Sequence, residues 1–394
     1  MNTESILIAT VVICAGAAAY AYVGFPLLAA AVAKTRRGQD TTFDDHTRDP
    51  DLPVTVIIPA YNEERSLESK IRNVLAANYP RALLEIIVVS DASTDGTNDI
   101  ARSFADDGVR LLVQESRHGK SAGLNRAMTM TTGEIVIFTD ANATYRSSTI
   151  ARLVRHFSRP EVGLVGGYTR YAADDSGDVA ATTNAYTSLE RVIKSAESRW
   201  GCCVGADGAI FAMRRSLFIP LRDDDINDLV LPLRVIEQGS QCVFADDAYC
   251  IEPPGSSVDS EYRRQSRITN RTLRALWRHA HLLNPFRFGM FSFFLFSHKV
   301  VRFLVPFFLV LACAAIAVLA GMRTRYLLAA IAIFLGMAVA VGVSRMPAAA
   351  WALPGRLLRQ LGVFLTINAA VLEGWWSFLR GRRDVVWQHD RSGG

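Results

Sequence analysis

The sequence predicts an α/β domain on a mainly parallel sheet, with transmembrane helices on its N- and C-terminal sides. Three observations carry this. Apolar runs of strand length alternate with helical stretches between residues 54 and 142. Long uncharged runs stand before and after that region. Half of the 394 residues (50%) are hydrophobic and the mean hydropathy is +0.17, too apolar for a soluble domain alone.

Ser5 to Ala33 is free of charge and long enough to span a bilayer. Glu4 and the lack of a preceding basic residue argue against a cleaved signal peptide. Lys34, Arg36 and Arg37 follow, so residues 1–34 are expected to run from outside to inside and leave the main domain cytoplasmic. Residues 35–52 are polar and aperiodic, a linker. The apolar runs at 54–61, 85–93, 109–115 and 134–142 are β-branched and nearly continuous, as in strands buried on both faces. Between them, Leu67, Ile71, Val74 and Leu75, then Ile100, Ala101 and Phe104, then Leu124, Ala127 and Met128 each fall on one helical face.

Beyond residue 150 the pattern loosens. A long amphipathic stretch precedes an acid-rich segment in which Asp223, Asp224 and Asp225 read as a solvated turn. Residues 263–298 hold arginines at 264, 267, 271, 274 and 278, one helical face. No acid occurs between residues 262 and 372, so that stripe is expected to meet phosphates of lipid headgroups or a diphosphate. The aromatic run at 284–303 suggests an interfacial helix. In the 299–380 segment, Phe303 to Met322 and Tyr326 to Ser344 read as membrane helices, whereas Glu373 interrupts Leu361 to Leu379. If that last run spans, parity puts the 381–394 tail outside; Arg380, Arg382 and Arg383 favour the inside.

Residues 263–394 carry 18 Lys and Arg against 3 Asp and Glu, and the remainder 25 against 35. Interleaved with apolar runs, this bias points to membrane lipids at a cytoplasmic face, not to nucleic acid, for which no motif is present. Six cysteines without a CxxC pair indicate neither a zinc site nor a disulfide framework. No feature identifies a protein partner.

In "FTDAN", Asp140 and Asn142 project together if the chain stays extended, at the strand end where α/β sheets bind ligands. Such a pair can hold a hard divalent cation; the same residues also suit a turn. Lys120 follows a glycine at a helix start, where a cation and free N–H groups suit a diphosphate.

Taken in order, "VIIPAYNEE", "VVSDASTDGT", "RHGKSAGLNRA", "FTDAN", "IND" and the late arginines resemble the family 2 glycosyltransferases. The likeness is nearest to their membrane-embedded, cellulose- and hyaluronan-synthase-like branch. It covers residues 54 to about 300. It implies a GT-A fold for residues 53–262 and metal-dependent, inverting transfer from a nucleotide sugar, UDP-linked, at the inner membrane. The acceptor is then a growing extracellular or capsular polysaccharide or, alternatively, a lipid receiving one sugar.

The resemblance also implies roles. Pro59, Ala60, Tyr61 and Glu63 floor the nucleotide pocket, Asp91 accepts from the uracil, and Lys120, Arg264 and Arg267 meet the diphosphate. Asp140, with Asn142, binds Mg²⁺ or Mn²⁺. Asp228 is the general base, preceded here by Ile226 and Asn227. Asp207 and Gly208 border the acceptor. Ile268 stands where synthases carry a Trp that stacks on the acceptor sugar.

Overall fold

The computed structural model describes residues 2–36, 51–171, 178–253, 258–345 and 353–383. Linker residues 37–50 and tail residues 384–394 lie outside them. The chain opens on α1 (Thr3–Ala19), a π-turn at Tyr20–Gly24 and α2 (Phe25–Thr35), which run as one 33-residue helix. Asn2 caps it, accepting the Ser5 N–H at 2.8 Å.

The expected alternation follows: β1 (Val54–Ala60), α3 (Leu67–Leu75), β2 (Leu84–Ser90), α4 (Thr97–Ser103), β3 (Val109–Val113), α5 (Gly119–Met130) and β4 (Ile135–Thr139). β1 and β4 are buried throughout, as strands covered on both faces must be. Next come β5 (Thr144–Tyr145), α6 (Thr149–Val154), β6 (Val162–Tyr171), α7 (Asp178–Ser198), β7 (Ile210–Arg214), α8 (Asn227–Glu237) and β8 (Gln241–Glu252).

One eight-stranded sheet results, in the order β3-β2-β1-β4-β7-β6-β8-β5. β1 to β4 pair in parallel, as do β6 and β8. β7 runs antiparallel to both neighbours, and β5 is antiparallel to β8. The sheet is therefore mixed. Its second half escaped the sequence pattern because glycines dilute β6, Asp246 and Asp247 interrupt β8, and their pairing carries register shifts. One face packs Val56, Ile58, Ile71, Ile137 and Ala212. The other packs Ile57, Phe138, Phe211 and Leu233 together with Phe25, Phe291 and Phe294, so the core runs without a break into the foot of the apolar helices.

The chain continues through α9 (Val258–Arg278), α10 (Pro285–Phe288), α11 (Met290–Leu295), a second π-turn at Phe296–Val300, α12 (Val301–Met322), α13 (Thr324–Ser344) and α14 (Leu353–Leu379). The interfacial helix expected at 284–303 reduces to α10, whose Phe286 is 99% exposed. Gly289, at φ +54°, breaks the chain there, and Met290–Met322 then runs as one 33-residue apolar helix. Among the described residues, four helices are long and apolar enough to cross a membrane: Thr3–Thr35, Met290–Met322, Thr324–Ser344 and Leu357–Leu379. The two π-turns meet, with Tyr20 Oη 2.9 Å from Ser297 Oγ and the Phe25 ring against Phe293 and His298. At the far end Glu4 holds Arg323 and Arg325 at 3.1 and 2.9 Å.

α14 has 27 residues, about 40 Å of helix. Gly362 lies so close to Ala340 that a Cβ would meet its carbonyl at 2.0 Å. Phe364 packs on Tyr22, and Trp375 donates to the Phe303 carbonyl at 2.9 Å. Arg382 O accepts from Asn270 at 2.9 Å and from Arg274 at 2.6 Å. These partners all belong to the domain-proximal ends of the other apolar helices or to α9. α14 therefore crosses the bundle near the domain and does not run alongside it from end to end.

The acidic turn is not solvated. Asp224 and Asp225 are 7% and 1% exposed. Arg278 binds both, at 2.9 Å from Asp224, and Arg234 lies 3.4 Å from Asp225. Arg271 donates to the carbonyls of both residues. Two arginines of the stripe expected to face phosphate, Arg271 and Arg278, thus dock α9 onto the domain, since acids absent nearby in sequence arrive through the fold.

Candidate functional site

The loops after β1 and β2 are laced together. Asn62 N–H donates to Ser93 Oγ at 3.1 Å, and its side-chain oxygen accepts the Thr94 N–H at 2.9 Å. Thr97 Oγ1 accepts from Glu63 N–H at 2.8 Å, and Asp95 accepts from Glu64 N–H at 3.1 Å. Asn62 and Ala92 are held at φ +52° and +56°; for alanine this is strained, and such strain concentrates at functional loops. Pro59 and Ala60 are buried in β1 beside β2. Tyr61 lies with its ring 3.6 Å below the Arg117 guanidinium, a flat cation–π pair beside these loops. The Glu63 carboxylate turns back to Ser66 at the start of α3, so its visible bond is a local one.

Asp91 is 5% exposed, just past β2. It accepts from His118 N–H at 2.9 Å, from Gly119 N–H at 3.1 Å and from Gln114 Nε2 at 2.8 Å. It thereby ties the end of β2 to the start of α5, where Gly119 turns at φ +83°. That turn delivers Lys120, whose Nζ lies 2.6 Å from Asp140 Oδ1.

Asp140 follows the last residue of β4, and its carbonyl accepts the Ala143 N–H at 3.2 Å. Residues 140–143 thus form a turn, so the extended-chain alternation expected for Asp140 and Asn142 does not apply. Lys70, 2% exposed, supports this turn from beneath: its Nζ donates to the Ala143 carbonyl at 2.5 Å and sits 3.7 Å over the Tyr145 ring. Burial pushes Lys70 down to about 7.

The structure adds Glu252, at the end of β8, to this acidic corner. Burial first, then Asp140 and Asp207, push its carboxyl up to about 8. Such mutual repulsion is what a divalent cation relieves. Among the described residues no three His, Cys, Asp or Glu side chains converge to hold an ion by themselves. Mg²⁺ and Mn²⁺ fit this setting because such ions are commonly held by one or two carboxylates plus substrate phosphates, and Asp140 is placed for it.

Asp228 occupies the first turn of α8. Its carbonyl accepts the Ala206 N–H at 2.7 Å, which fastens the 205–208 loop beside it. A Cβ on Gly208 would stand 3.1 Å from Asp228 Oδ2, so any larger residue there would crowd that carboxylate. Asp207 accepts from Thr169 N–H at 3.0 Å. Asp228 Oδ1 is enclosed yet accepts no hydrogen bond among the described residues. Burial raises the carboxyl above its ordinary range, against the pull of the Lys120 charge, and Asp207 adds to the rise. An enclosed acceptor with no donor is costly, and this oxygen is able to accept from an incoming group.

The arginines divide. Arg264 pairs with Glu261 at 3.2 Å and is half exposed, though its charge reaches Glu252. Arg267 lies one turn further along α9. Arg271, which sequence reasoning left in the stripe, reaches Ser121 beside Lys120. Asp91, Lys120, Asp140, Asp207, Gly208 and Asp228 thus gather at one edge of the sheet; Glu63 and Arg264 bond to near neighbours.

Residues 55–221 match the family model described as glycosyl transferase family 2. Glycosyltransferase AglE of Haloferax volcanii is 31% identical over 139 residues, 35% of this chain and 46% of that one. The beta-monoglucosyldiacylglycerol synthase of Nostoc sp. is 32% identical over 116 residues, 28% of this chain and 25% of that one. The chain spans about half or less of the length of these curated relatives. The structure superimposes on mannosyltransferase PcManGT from Pyrobaculum calidifontis, in complex with GDP-Man and Mn²⁺, with a TM-score of 0.73 and 25% identity. That alignment covers 97% of this chain and 100% of the other.

Proposed function

We propose, from the match of residues 55–221 to the glycosyl transferase family 2 model, that the protein is a family 2 glycosyltransferase that moves one sugar, with inversion, from a nucleotide sugar to a lipid-linked acceptor at the inner membrane. The observation that carries this reading is Asp228 Oδ1, an enclosed carboxylate oxygen without a donor, across Lys120 from the phosphate-binding turn at Asp140. Mg²⁺ or Mn²⁺, held through Asp140 and the donor's phosphates, would neutralise charge on the leaving diphosphate.

The chain's own residues supply the rest. Tyr61, Arg117 and the laced loops bind the nucleoside, with Asp91 fixing the turn into α5. Lys120 lies against the diphosphate, and Arg271 supports it from α9. Asp228 Oδ1 takes the proton of the acceptor hydroxyl as its oxygen bonds to the anomeric carbon. The bond from that carbon to the donor's phosphate oxygen breaks, and its electron pair leaves with the nucleoside diphosphate. A lipid acceptor is favoured over a growing polysaccharide because the wall facing Asp228 includes Lys299, from a helix of membrane length. The Ile268 departure from the synthase pattern agrees with single transfer.

Purified protein incubated with uridine- and guanosine-diphosphate sugars and a membrane lipid extract should release nucleoside diphosphate and form one glycolipid species. EDTA should stop the release, and Mn²⁺ or Mg²⁺ should restore it. A ladder of products would shift the reading to polymer extension, and transfer from none of the donors would end it.

A further inference from the structure

The acceptor side of Asp228 is bounded by α7 and by the π-turn that leads into α12, and the charges there are unevenly matched. Glu190, Lys194 and Glu197 share one face of α7. His298 is fully enclosed between the two acids, 3.1 Å from Glu190 and 2.7 Å from Glu197. Glu190 also pairs with Arg302, and the second oxygen of Glu197 accepts the Val204 N–H at 3.1 Å. Both acids are thereby fully engaged. The side-chain ammonium groups of Lys194 and Lys299 are left with no hydrogen bond and no ion pair among the described residues.

Lys299 points toward the reaction centre. A Cβ on Gly205 would lie 3.8 Å from Lys299 Cε, 3.9 Å from its Nζ and 3.6 Å from the Asp228 carbonyl oxygen. With Gly208 sparing the carboxylate itself, two glycines keep open the space between that ammonium and Asp228. The Lys299 and Lys194 charges both act on the Asp228 carboxyl. The acids whose charge reaches Lys299, Glu190 and Glu197, are already bound by Arg302 and His298, so an anion brought close would complete the pairing of that ammonium. The donor's diphosphate is provided for at Lys120 and Asp140, so this anion comes in with the acceptor.

We propose that Lys299, backed by Lys194, is a phosphate subsite for the acceptor, which is therefore a lipid phosphate ester whose headgroup hydroxyl reaches Asp228. This rests on the lipid-acceptor reading given above. Lys299 sits where a membrane-length helix enters the domain, the depth at which lipid phosphates lie.

The test uses the full chain in nanodiscs of neutral lipid, titrated with farnesyl phosphate, farnesol and dioleoyl phosphatidate by thermophoresis. The phosphates should bind at least about tenfold more tightly than farnesol. Neither phosphate carries the headgroup hydroxyl, so both probe the phosphate subsite alone. Whichever binds better shows whether the site prefers an isoprenoid or a glycerolipid chain, and either supports the subsite. Lys299→Gln should weaken phosphate binding about tenfold or more, and Lys299→Arg should stay within about threefold of wild type. Lys194→Gln should give a smaller loss, and it carries the test should Lys299→Gln fail to fold. Nucleoside-diphosphate affinity should be unchanged in all three. Equal binding of farnesol and farnesyl phosphate, or no loss in Lys299→Gln or Lys194→Gln, overturns the subsite. Lysine-dependent phosphate binding without sugar transfer would instead leave the subsite standing and remove the proposed reaction.

Discussion

Replacing Asp228 by Asn separates the chemistry of the site from its stability. The two side chains are nearly the same shape, so the packing beside Gly208 survives. The change removes one charge and one proton acceptor. If Asp228 takes the acceptor's proton, turnover should fall by roughly two to four orders of magnitude. Donor affinity should hold, because the diphosphate rests on Lys120 and the Asp140 turn.

Stability should move the other way. Folding raises the Asp228 carboxyl through burial, so between its ordinary and its raised value the folded chain binds more protons than the unfolded one. The carboxyl therefore destabilises the fold at neutral pH, and this effect is absent below its ordinary value. An enclosed oxygen without a donor costs about 1–3 kcal/mol, and removing the charge recovers part of that. Asp228→Asn should thus unfold at or above the wild-type temperature. Nucleoside-diphosphate release, calorimetric binding of the free diphosphate and thermal unfolding by intrinsic fluorescence read the three quantities. Near-normal turnover would refute the assignment. A lowered melting temperature with lost donor binding would make Asp228 a structural residue.

Three further outcomes are expected. Asp225→Asn, which removes the carboxylate of Arg234 and one of the two that hold Arg278, should cost about 3–5 kcal/mol in urea unfolding, while the exposed Asp223→Asn should stay within about 0.5 kcal/mol. Since burial holds Lys70 near 7, the unfolded chain binds the extra proton between about 7 and 10.5, and stability should rise with pH across that window. Lys70→Met should flatten this rise, and an unchanged slope would place its origin elsewhere. As α14 crosses near the domain, a reporter after residue 383 should lie on the same membrane side as one after residue 50, and opposite sides would show that α14 spans.

The first half of the sheet was legible because β1 to β4 are continuous apolar runs separated by helices of clear period. Asp91, Lys120, Asp140 and Asp228 could be singled out because each stands in a short motif beside an element end. What could not be read was pairing over long separations. Asp224 and Asp225 looked solvated because their cations, at 234, 271 and 278, lie on other elements. The arginine stripe looked unpaired for the same reason. Lys70 and Lys299 carried no signal, since a lysine within an amphipathic or apolar helix reads as a solvated or snorkelling side chain until its neighbours are known. Glu252 ends a strand whose own pattern was broken by Asp246 and Asp247.

The facing π-turns at Tyr20–Gly24 and Phe296–Val300 each slip one additional residue into a helix that otherwise advances about 100° per residue. Each long helix is therefore two segments with separate angular settings, one for lipid and one for the domain. Point substitutions on either segment leave the other's setting intact. Deleting the additional residue from either turn restores plain α-helix and leaves both segments in their present settings, whereas deleting one elsewhere in the same helix swings one segment against the other by about 100°. In the second helix a deletion between Val301 and Met322 would break the outer contacts of Arg323 while His298 kept its place against α7. These long helices should tolerate a one-residue deletion at the π-turns far better than one anywhere else along them.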